Sequence, residues 1–194
     1  MKARIEGYFD ELRRLAAGAA VTDLEGNRVD QAAAIGWAIE TAKATHAAGN
    51  KLMFIGNGGS AGIASHMAID YAKNGGLRAM AFNDGAALTC LGNDLGYDQV
   101  FAQQLDWHAR PGDLLIAISS SGRSANILNA VAVARSRSCR ILTLSGFDPA
   151  NPLRRLGDRN FFVASHEYGF VEISHLALCH AILDLAMGWQ PGKA

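Results

Sequence analysis

The stretch LMFIGNGGSAGIASH, residues 52–66, decides the fold that the rest of the chain must complete. A run of four apolar residues is interrupted by GNGGS, and small residues at helical spacing follow. A strand that turns sharply into a helix leaves backbone N–H groups pointing outward at the positive end of the helix dipole. The stretch therefore predicts a strand–turn–helix unit that binds an anion; the alternative is that the glycines serve only the tight turn.

Short apolar runs recur along the chain, each ahead of a segment with helical spacing. In order, the runs are KLMFIG, RAMAF, DLLIAIS, CRILTLSG and NFFVAS. Buried strands that alternate with helices predict an α/β fold, with a five-stranded parallel sheet flanked by helices on both faces. The last helix is expected from about Gly169 to Met187.

The first 50 residues predict a pair of helices instead. Apolar residues at helical spacing indicate one helix within residues 1–20, and Gly26-Asn27 separates it from an alanine-rich helix near residues 29–48. We interpret residues 1–50 as N-terminal helices for oligomerisation, because the small-residue face is broad enough to pack against another subunit. Packing within the chain is the alternative. Residues 51–190 then form the sheet domain.

The bulk composition excludes several classes of partner. Lys+Arg and Asp+Glu number 18 each, so the chain lacks the basic excess that favours nucleic acid or an anionic membrane. The three cysteines lie outside any CxxC spacing, which indicates free thiols in a reducing compartment. The charged N-terminus does not resemble a signal peptide, and no apolar run approaches the roughly 18 residues of a membrane span. We therefore expect a cytoplasmic protein.

The turn SSSGRS, residues 119–124, is a stronger anion-binding signal than GNGGS. It places four serines around one glycine directly after a predicted strand. Capping of the next helix would use one serine and leave the others unexplained. Neither turn contains GxxxxGK[ST] or GxGxxG, so we expect the phosphate of a small molecule and no nucleotide.

The order GNGGSA, LGND, SSSGRS and EISHLALCH resembles the SIS (sugar isomerase) domain, and within it the phosphoheptose isomerases. The resemblance spans nearly the whole chain. It implies a flavodoxin-like SIS domain over residues 51–190 that interconverts sedoheptulose 7-phosphate and D-glycero-D-manno-heptose 7-phosphate through an enediol. It also implies one zinc ion per active site and a homotetramer with active sites at subunit interfaces.

Four polar residues on two predicted helices form a candidate metal set. His66 and Asp70 are four residues apart and share a helix face. Glu172 and His180 are eight apart, roughly 80° in projection around the last helix. Two histidines and two carboxylates suit zinc or another divalent metal. Each residue alone has an ordinary alternative, as a packing histidine, a surface acid, or an acid favoured near a helix N-terminus.

The resemblance assigns roles to these residues and to the two turns. Glu172 or Asp70 is implied as the base and His180 as the acid; because a tightly held metal lowers the pKa of its ligand, the base and ligand duties of the two carboxylates stay open. The implied metal ligands are His66, Asp70, Glu172 and His180. The implied substrate-binding residues are Asn57, Gly58, Ser60, Asp94, Ser119, Ser120, Ser121 and Ser124.

The sequence departs from the family pattern at three positions. Asp70 stands where glutamate is usual, Glu172 where glutamine is usual, and Gly169 near a usual aspartate. These changes keep open the hypothesis of an isomerase that acts on a different phosphosugar. Two further hypotheses are a non-catalytic SIS scaffold of the DnaA-binding type and a phosphosugar-sensing regulatory module.

Overall fold

The computed structural model describes residues 1–192, which form seven α-helices and seven strands. The N-terminal part contains α1 (Lys2–Ala17), β1 (Ala20–Thr22), β2 (Arg28–Val29) and α2 (Gln31–Ala47). The central part contains β3 (Leu52–Gly56), α3 (Gly59–Lys73), β4 (Ala79–Ala81), α4 (Gly85–Asp94), α5 (Ala102–His108), β5 (Leu114–Ser119) and α6 (Ala125–Ser136). The C-terminal part contains β6 (Arg140–Gly146), β7 (Arg159–Val163) and α7 (Tyr168–Ala186). Short 3-10 turns lie at Tyr97–Gln99 and Pro152–Arg155.

The strands form one sheet in the order β2-β1-β7-β6-β5-β3-β4. The five predicted strands are β3 to β7, and they pair in parallel in the order β4-β3-β5-β6-β7. This is the flavodoxin-like doubly wound order, whose direction of winding reverses between its first and third strands, here β3 and β5. The predicted five-stranded parallel sheet is confirmed, and ligands of such sheets bind at the carboxyl ends beside that reversal.

The strand count of five was too low, because β1 and β2 form a hairpin that extends the sheet. β1 pairs antiparallel with both β2 and β7. The hairpin loop is closed by Asp23, whose carboxylate accepts a hydrogen bond from the backbone N–H of Asn27 at 2.8 Å. Strands of three and two residues are too short to show the alternating pattern that reveals a half-buried strand.

Helices cover both faces of the sheet. Side chains of α1, α2, α3 and α7 fill one core, such as Leu15, Ala38, Met67 and Leu178. Those of α4, α5 and α6 fill the other, such as Leu91 and Leu105. The small-residue face of α2 packs within the chain, since Ala34, Ala38 and Ala42 are buried. The division at residue 50 and the role of residues 1–50 in oligomerisation stay predictions.

Helix α7 is long and apolar enough to cross a membrane by length and composition alone. Its apolar side instead packs against the sheet and the helices of the first face: Val171, Leu178, Cys179 and Ile182 are buried there. These buried positions are those of a helix that packs on a core, while Tyr168, Ile173 and Leu185 on the same helix are exposed in the single chain.

The helices differ in how their N-termini are capped. Asp30 and Asp84 accept hydrogen bonds from the N–H groups of Ala33 and Ala87, at 3.0 and 2.9 Å, and so start α2 and α4. No side-chain cap closes α3 or α6 within residues 1–192. These two helices follow β3 and β5, so their open N-termini lie together at the carboxyl edge of the sheet.

Candidate active site

The two turns predicted to bind an anion leave the sheet side by side. In the parallel β3–β5 pair, Gly56 lies opposite Ile118, one residue before the serine turn begins. Between the turns is a cleft of about 260 Å³. Its lining residues are Asn57, Gly58, Gly59, Ser60, Ser119, Ser120, Ser121, Ser124, Tyr168 and Glu172. The structure thus brings seven of the eight predicted substrate-binding residues to one cavity.

The serine hydroxyls are arranged around an open helix N-terminus. The Oγ atoms of Ser119 and Ser124 lie 3.3 Å apart, and Ser119 Oγ accepts from the Gly122 N–H. Ser124 is the N-cap residue of α6 but makes no capping bond. Ser120 Oγ is buried and has no hydrogen-bond partner in the described residues. A phosphate oxygen in the cleft would give Ser120 the partner that the protein does not supply.

Asn57 joins the two turns. Its amide exchanges hydrogen bonds with the amide of Asn126 on α6, at 2.9 and 2.8 Å. The hydroxyl of Tyr97 also donates to Asn57 Oδ1 at 3.3 Å. Asn57 lines the cleft, but its side chain is engaged in this bridge. The structure therefore gives Asn57 a positioning role beside the predicted contact with sugar hydroxyls.

Glu172 enters the same cleft from the first turns of α7. Its carboxylate lies directly over Gly59, where a methyl group would overlap it. Gly58, the preceding residue, has φ of 55°, a left-handed conformation that glycine adopts without strain. The two glycines therefore allow the β3–α3 turn and the Glu172 carboxylate to approach each other. The arrangement places a proton-accepting group beside the serine turn.

His66, Asp70 and His180, hereafter the metal group, lie on α3 and α7, the two helices whose first turns line the cleft. Asp70 Oδ2 lies 3.4 Å from His66 Nε2 and 4.0 Å from His180 Nδ1. One donor atom from each residue lies within 4.8 Å of the others. Two ligands of a tetrahedral zinc ion are roughly 3.3 Å apart, so small side-chain movements would let all three residues bind one ion. The donor set fits a divalent metal with an open coordination position.

Two predicted site residues lie outside the group to which the prediction assigned them. Glu172 does not belong to the three-residue metal group. Asp94, the last residue of α4, is exposed and does not line the cleft; its carboxylate accepts from the amide of Asn93 at 2.8 Å and lies 3.5 Å from Cys90 Sγ. The predictions of Glu172 as a metal ligand and of Asp94 as a sugar ligand therefore receive no support from the geometry within one chain.

Two features of the site were not predicted from the sequence. Tyr168, the first residue of α7, lines the cleft beside Glu172. Arg123, within the serine turn, forms an ion pair with Asp148 after β6. The signal that could have found Tyr168 is its place after the last strand, since segments that follow the carboxyl ends of strands meet at one edge.

His175 holds α7 against the sheet one turn beyond Glu172. Its Nε2 donates to the backbone carbonyl of Ser145 at 3.1 Å, and its Nδ1 is buried without a partner in residues 1–192. Burial lowers the pKa of His175 to about 4, so the ring is neutral at physiological pH. Because it is neutral and fully enclosed, the His175 imidazole holds α7 in position and does not exchange protons with a substrate.

Comparison of the sequence with known proteins finds a matching family profile and relatives that share one name. The SIS domain family profile matches residues 17–146. Phosphoheptose isomerase of Aliarcobacter butzleri is 40% identical over 154 residues, covering 76% of this chain and 79% of that protein. Phosphoheptose isomerase of Rhodospirillum rubrum is 37% identical over 162 residues, covering 80% of this chain and 86% of that protein.

Solved structures with a similar fold include a phosphoheptose isomerase and a protein of a different name. The structure of phosphoheptose isomerase GmhA from Neisseria gonorrhoeae superposes with a TM-score of 0.80 at 32% identity, covering 95% of this chain and 98% of that chain. The NanR protein of Vibrio vulnificus, solved in complex with ManNAc-6P, has a TM-score of 0.71 at 18% identity, which shows a shared fold alone.

Proposed function

The chain belongs to the SIS-domain phosphoheptose isomerase family, and from that premise we propose that it interconverts sedoheptulose 7-phosphate and D-glycero-D-manno-heptose 7-phosphate. The observation that carries the proposal is the cleft in which the four serines of one turn and the Glu172 carboxylate line the same cavity. Such a site offers a phosphate anchor and a base at once. Aldose–ketose isomerisation of a phosphosugar needs both.

The serine turn anchors the phosphate. Ser119, Ser120, Ser121 and Ser124 supply hydroxyl donors, and the uncapped N-terminus of α6 supplies partial positive charge. Ser60 on α3 and the backbone of Gly58 lie across the cleft, where they would contact the sugar. Asn57 and Asn126 fix the distance between these two sets of donors.

Glu172 is the proposed base. In the ketose-to-aldose direction its carboxylate takes a proton from C1, forming an enediol, and returns a proton to C2; a second group moves the hydroxyl proton between O2 and O1. His180 is the proposed acid for that second transfer through its Nε2, because its Nδ1 is the ring nitrogen that faces Asp70 in the metal group. Asp70 lies within 4.0 Å of both histidines and is therefore better suited to hold a metal than to act as the base.

Zinc is the proposed metal, held by His66, Asp70 and His180. When bound, it would polarise the substrate carbonyl and stabilise negative charge that develops on oxygen. Retaining Glu172 outside this group keeps its carboxylate available for proton transfer, because a metal-bound carboxylate is a weaker base. In this proposal Glu172 is the base and the shorter Asp70 is a metal ligand.

We also propose a homotetramer with active sites at subunit interfaces. The side chain of His66 is 53% exposed although it belongs to the metal group, so a neighbouring subunit could cover it. Apolar side chains of α1, Ile5 and Phe9, are exposed in the single chain and offer a contact surface. The three free cysteines support a cytoplasmic location.

The experiment that tests the function is NMR of the purified protein with sedoheptulose 7-phosphate, once with zinc and once after EDTA. Conversion to the aldoheptose 7-phosphate that EDTA abolishes is the expected result. Conversion of a pentose or hexose phosphate instead would favour an isomerase of another phosphosugar, which Gly169 and Asp70 make the second candidate. Absence of conversion for every phosphosugar tested would favour the scaffold.

A further inference from the structure

A second cavity lies at the opposite edge of the sheet from the serine cleft. It has a volume of about 460 Å³, within the range of small-molecule sites. Its walls are the segments that precede β3, β4 and β5, together with the end of α5. The side chains that matter are Lys51, Arg78, Trp107, His108, Arg110 and Asp113. None of these residues takes part in the proposed isomerisation.

The charges of this cavity do not balance. Asp113 is fully buried, and its Oδ2 accepts from Lys51 Nζ at 2.6 Å and from the Arg110 N–H at 2.8 Å. Its Oδ1 accepts from the Lys51 N–H at 2.9 Å. The carboxylate is therefore neutralised by Lys51 and has both oxygens occupied. The guanidinium groups of Arg78 and Arg110 are left as excess positive charge on the cavity wall.

The two arginines have free donors. Arg78 uses Nη1 in one bond to the backbone carbonyl of Gly49, at 2.7 Å. The Arg110 side chain makes no hydrogen bond or ion pair in the part of the chain that the structure describes. Both side chains are exposed, so an anion could reach them without rearrangement. Arginine binds carboxylate and phosphate through two parallel N–H bonds, and the charge of two arginines matches that of a dianionic phosphate.

An aromatic wall adjoins the arginines. The Trp107 indole is 60% exposed, and it meets the His108 ring edge to face. His108 is fixed in turn by stacking on Phe82, with ring planes 18° apart. The exposed indole can stack on a planar ring of a ligand, a contact that is largely insensitive to which ring it is.

We propose that this cavity is a second ligand site, for a small phosphate-bearing molecule with a planar ring, of the nucleoside monophosphate class. Arg78 and Arg110 hold the phosphate and Trp107 stacks on the ring. The site lies at the amino ends of the strands, at the opposite edge of the sheet from the cleft that Glu172 lines, so its ligand does not contact the proposed base. The proposal does not depend on the isomerase activity.

The test is isothermal titration calorimetry of the full chain with AMP, with adenosine and with ribose 5-phosphate. AMP is expected to bind most tightly, since only it carries both the phosphate and the planar ring. Arg78→Ala and Arg110→Ala should each weaken AMP binding by at least about tenfold, and Trp107→Ala should do so while Trp107→Phe retains most of the affinity. Arg155→Ala, at an exposed arginine outside the cavity, is the matched control.

A variant of the other site separates the two cavities. Ser121→Ala should leave AMP binding unchanged, because Ser121 lines the serine cleft. No AMP binding at millimolar concentration would overturn the proposal. So would AMP binding that Ser121→Ala abolishes and Arg78→Ala and Arg110→Ala do not affect. Ribose 5-phosphate that binds as tightly as AMP through the same arginines would overturn the planar-ring assignment. Circular dichroism melting of each variant shows that it is folded.

Discussion

The amides of Asn57 and Asn126 exchange two hydrogen bonds, at 2.9 and 2.8 Å, and so join the β3–α3 turn to the helix that follows the serine turn. The two residues are 69 positions apart in the chain. Neither side chain is fully exposed, so water cannot readily replace the partner that is lost on substitution. The spacing between the sugar-contacting turn and the phosphate-contacting turn therefore depends on this pair.

Asn126→Ala is expected to lower the free energy of unfolding by about 1–3 kcal/mol, the usual cost of an unpaired buried polar group. It should also raise KM, because the two turns lose their fixed separation. Urea unfolding and steady-state kinetics measure both effects. Asn129→Ala on the same helix, which loses two hydrogen bonds near the surface to Asp98, is the control. Equal behaviour of the two variants would remove the positioning role of Asn126.

Glu172→Gln should reduce kcat by at least about a hundredfold, the typical contribution of a general base, with little change in KM. Glutamine is usual at this position in the family, but here Asp70 is the proposed metal ligand and Glu172 is the carboxylate that lines the cleft. The amide keeps the size of the side chain over Gly59 but cannot accept the C1 proton. Glu167→Gln, an exposed residue just before α7, should retain wild-type turnover. Near-normal kcat in Glu172→Gln would contradict the assignment of the base.

Ser120→Ala separates phosphate binding from folding. The Ser120 hydroxyl has no partner in residues 1–192, so its removal should leave the melting temperature unchanged or slightly higher. KM should rise roughly tenfold, because the phosphate loses a donor. A lower melting temperature with an unchanged KM would show that Ser120 serves the fold. Ser136→Ala, at the far end of α6, is the matched serine control.

The metal group of His66, Asp70 and His180 predicts how many zinc ions each chain holds. Elemental analysis of the purified protein should find one zinc ion per chain, and Asp70→Asn, His66→Ala and His180→Ala should each reduce it. His166→Ala, at an exposed histidine outside the group, should retain the metal. Full zinc content in the His66 and His180 variants would show that these residues do not hold the metal.

The buried His175 side chain makes the free energy of unfolding depend on pH. Its pKa is about 4 in the folded protein and 6.5 ordinarily, so the unfolded chain takes up the proton first. The stabilisation is complete above pH 6.5 and is lost as pH falls toward 4, by about 3 kcal/mol in total. His175→Gln can still donate to the Ser145 carbonyl but does not titrate. Urea unfolding between pH 7 and 4 should show a shallower loss for the variant; parallel profiles would contradict the burial effect.

The sequence predicted the parts of the fold that local pattern determines. Five apolar runs ahead of helical segments gave the parallel sheet, and α7 begins at Tyr168, one residue from the expected Gly169. The hairpin of β1 and β2 was missed, because it is stabilised by pairing with β7 about 140 residues away and not by its own pattern. Pairing between distant segments has no local signature in two or three residues.

The sequence predicted which residues belong to the candidate site. It did not predict that Glu172 lines the cleft while His66, Asp70 and His180 form a separate group. Spacing on one helix correctly joined His66 and Asp70. The division between the metal group and Glu172 depends on how α3 crosses α7, which brings His180 to Asp70 and leaves Glu172 over Gly59. Crossing geometry follows from packing of whole helix surfaces, so the helix spacing of Glu172 and His180 could not reveal it.

The most direct test of the central claim is NMR of sedoheptulose 7-phosphate with the zinc-loaded protein in D₂O. An enediol intermediate predicts aldoheptose 7-phosphate that carries deuterium at C2, because the proton taken by Glu172 can exchange with solvent before it is returned. The same experiment with Glu172→Gln should show neither product nor deuterium at C1 of the ketose. A wild-type sample that leaves the ketose unconverted and unlabelled would contradict the isomerase assignment.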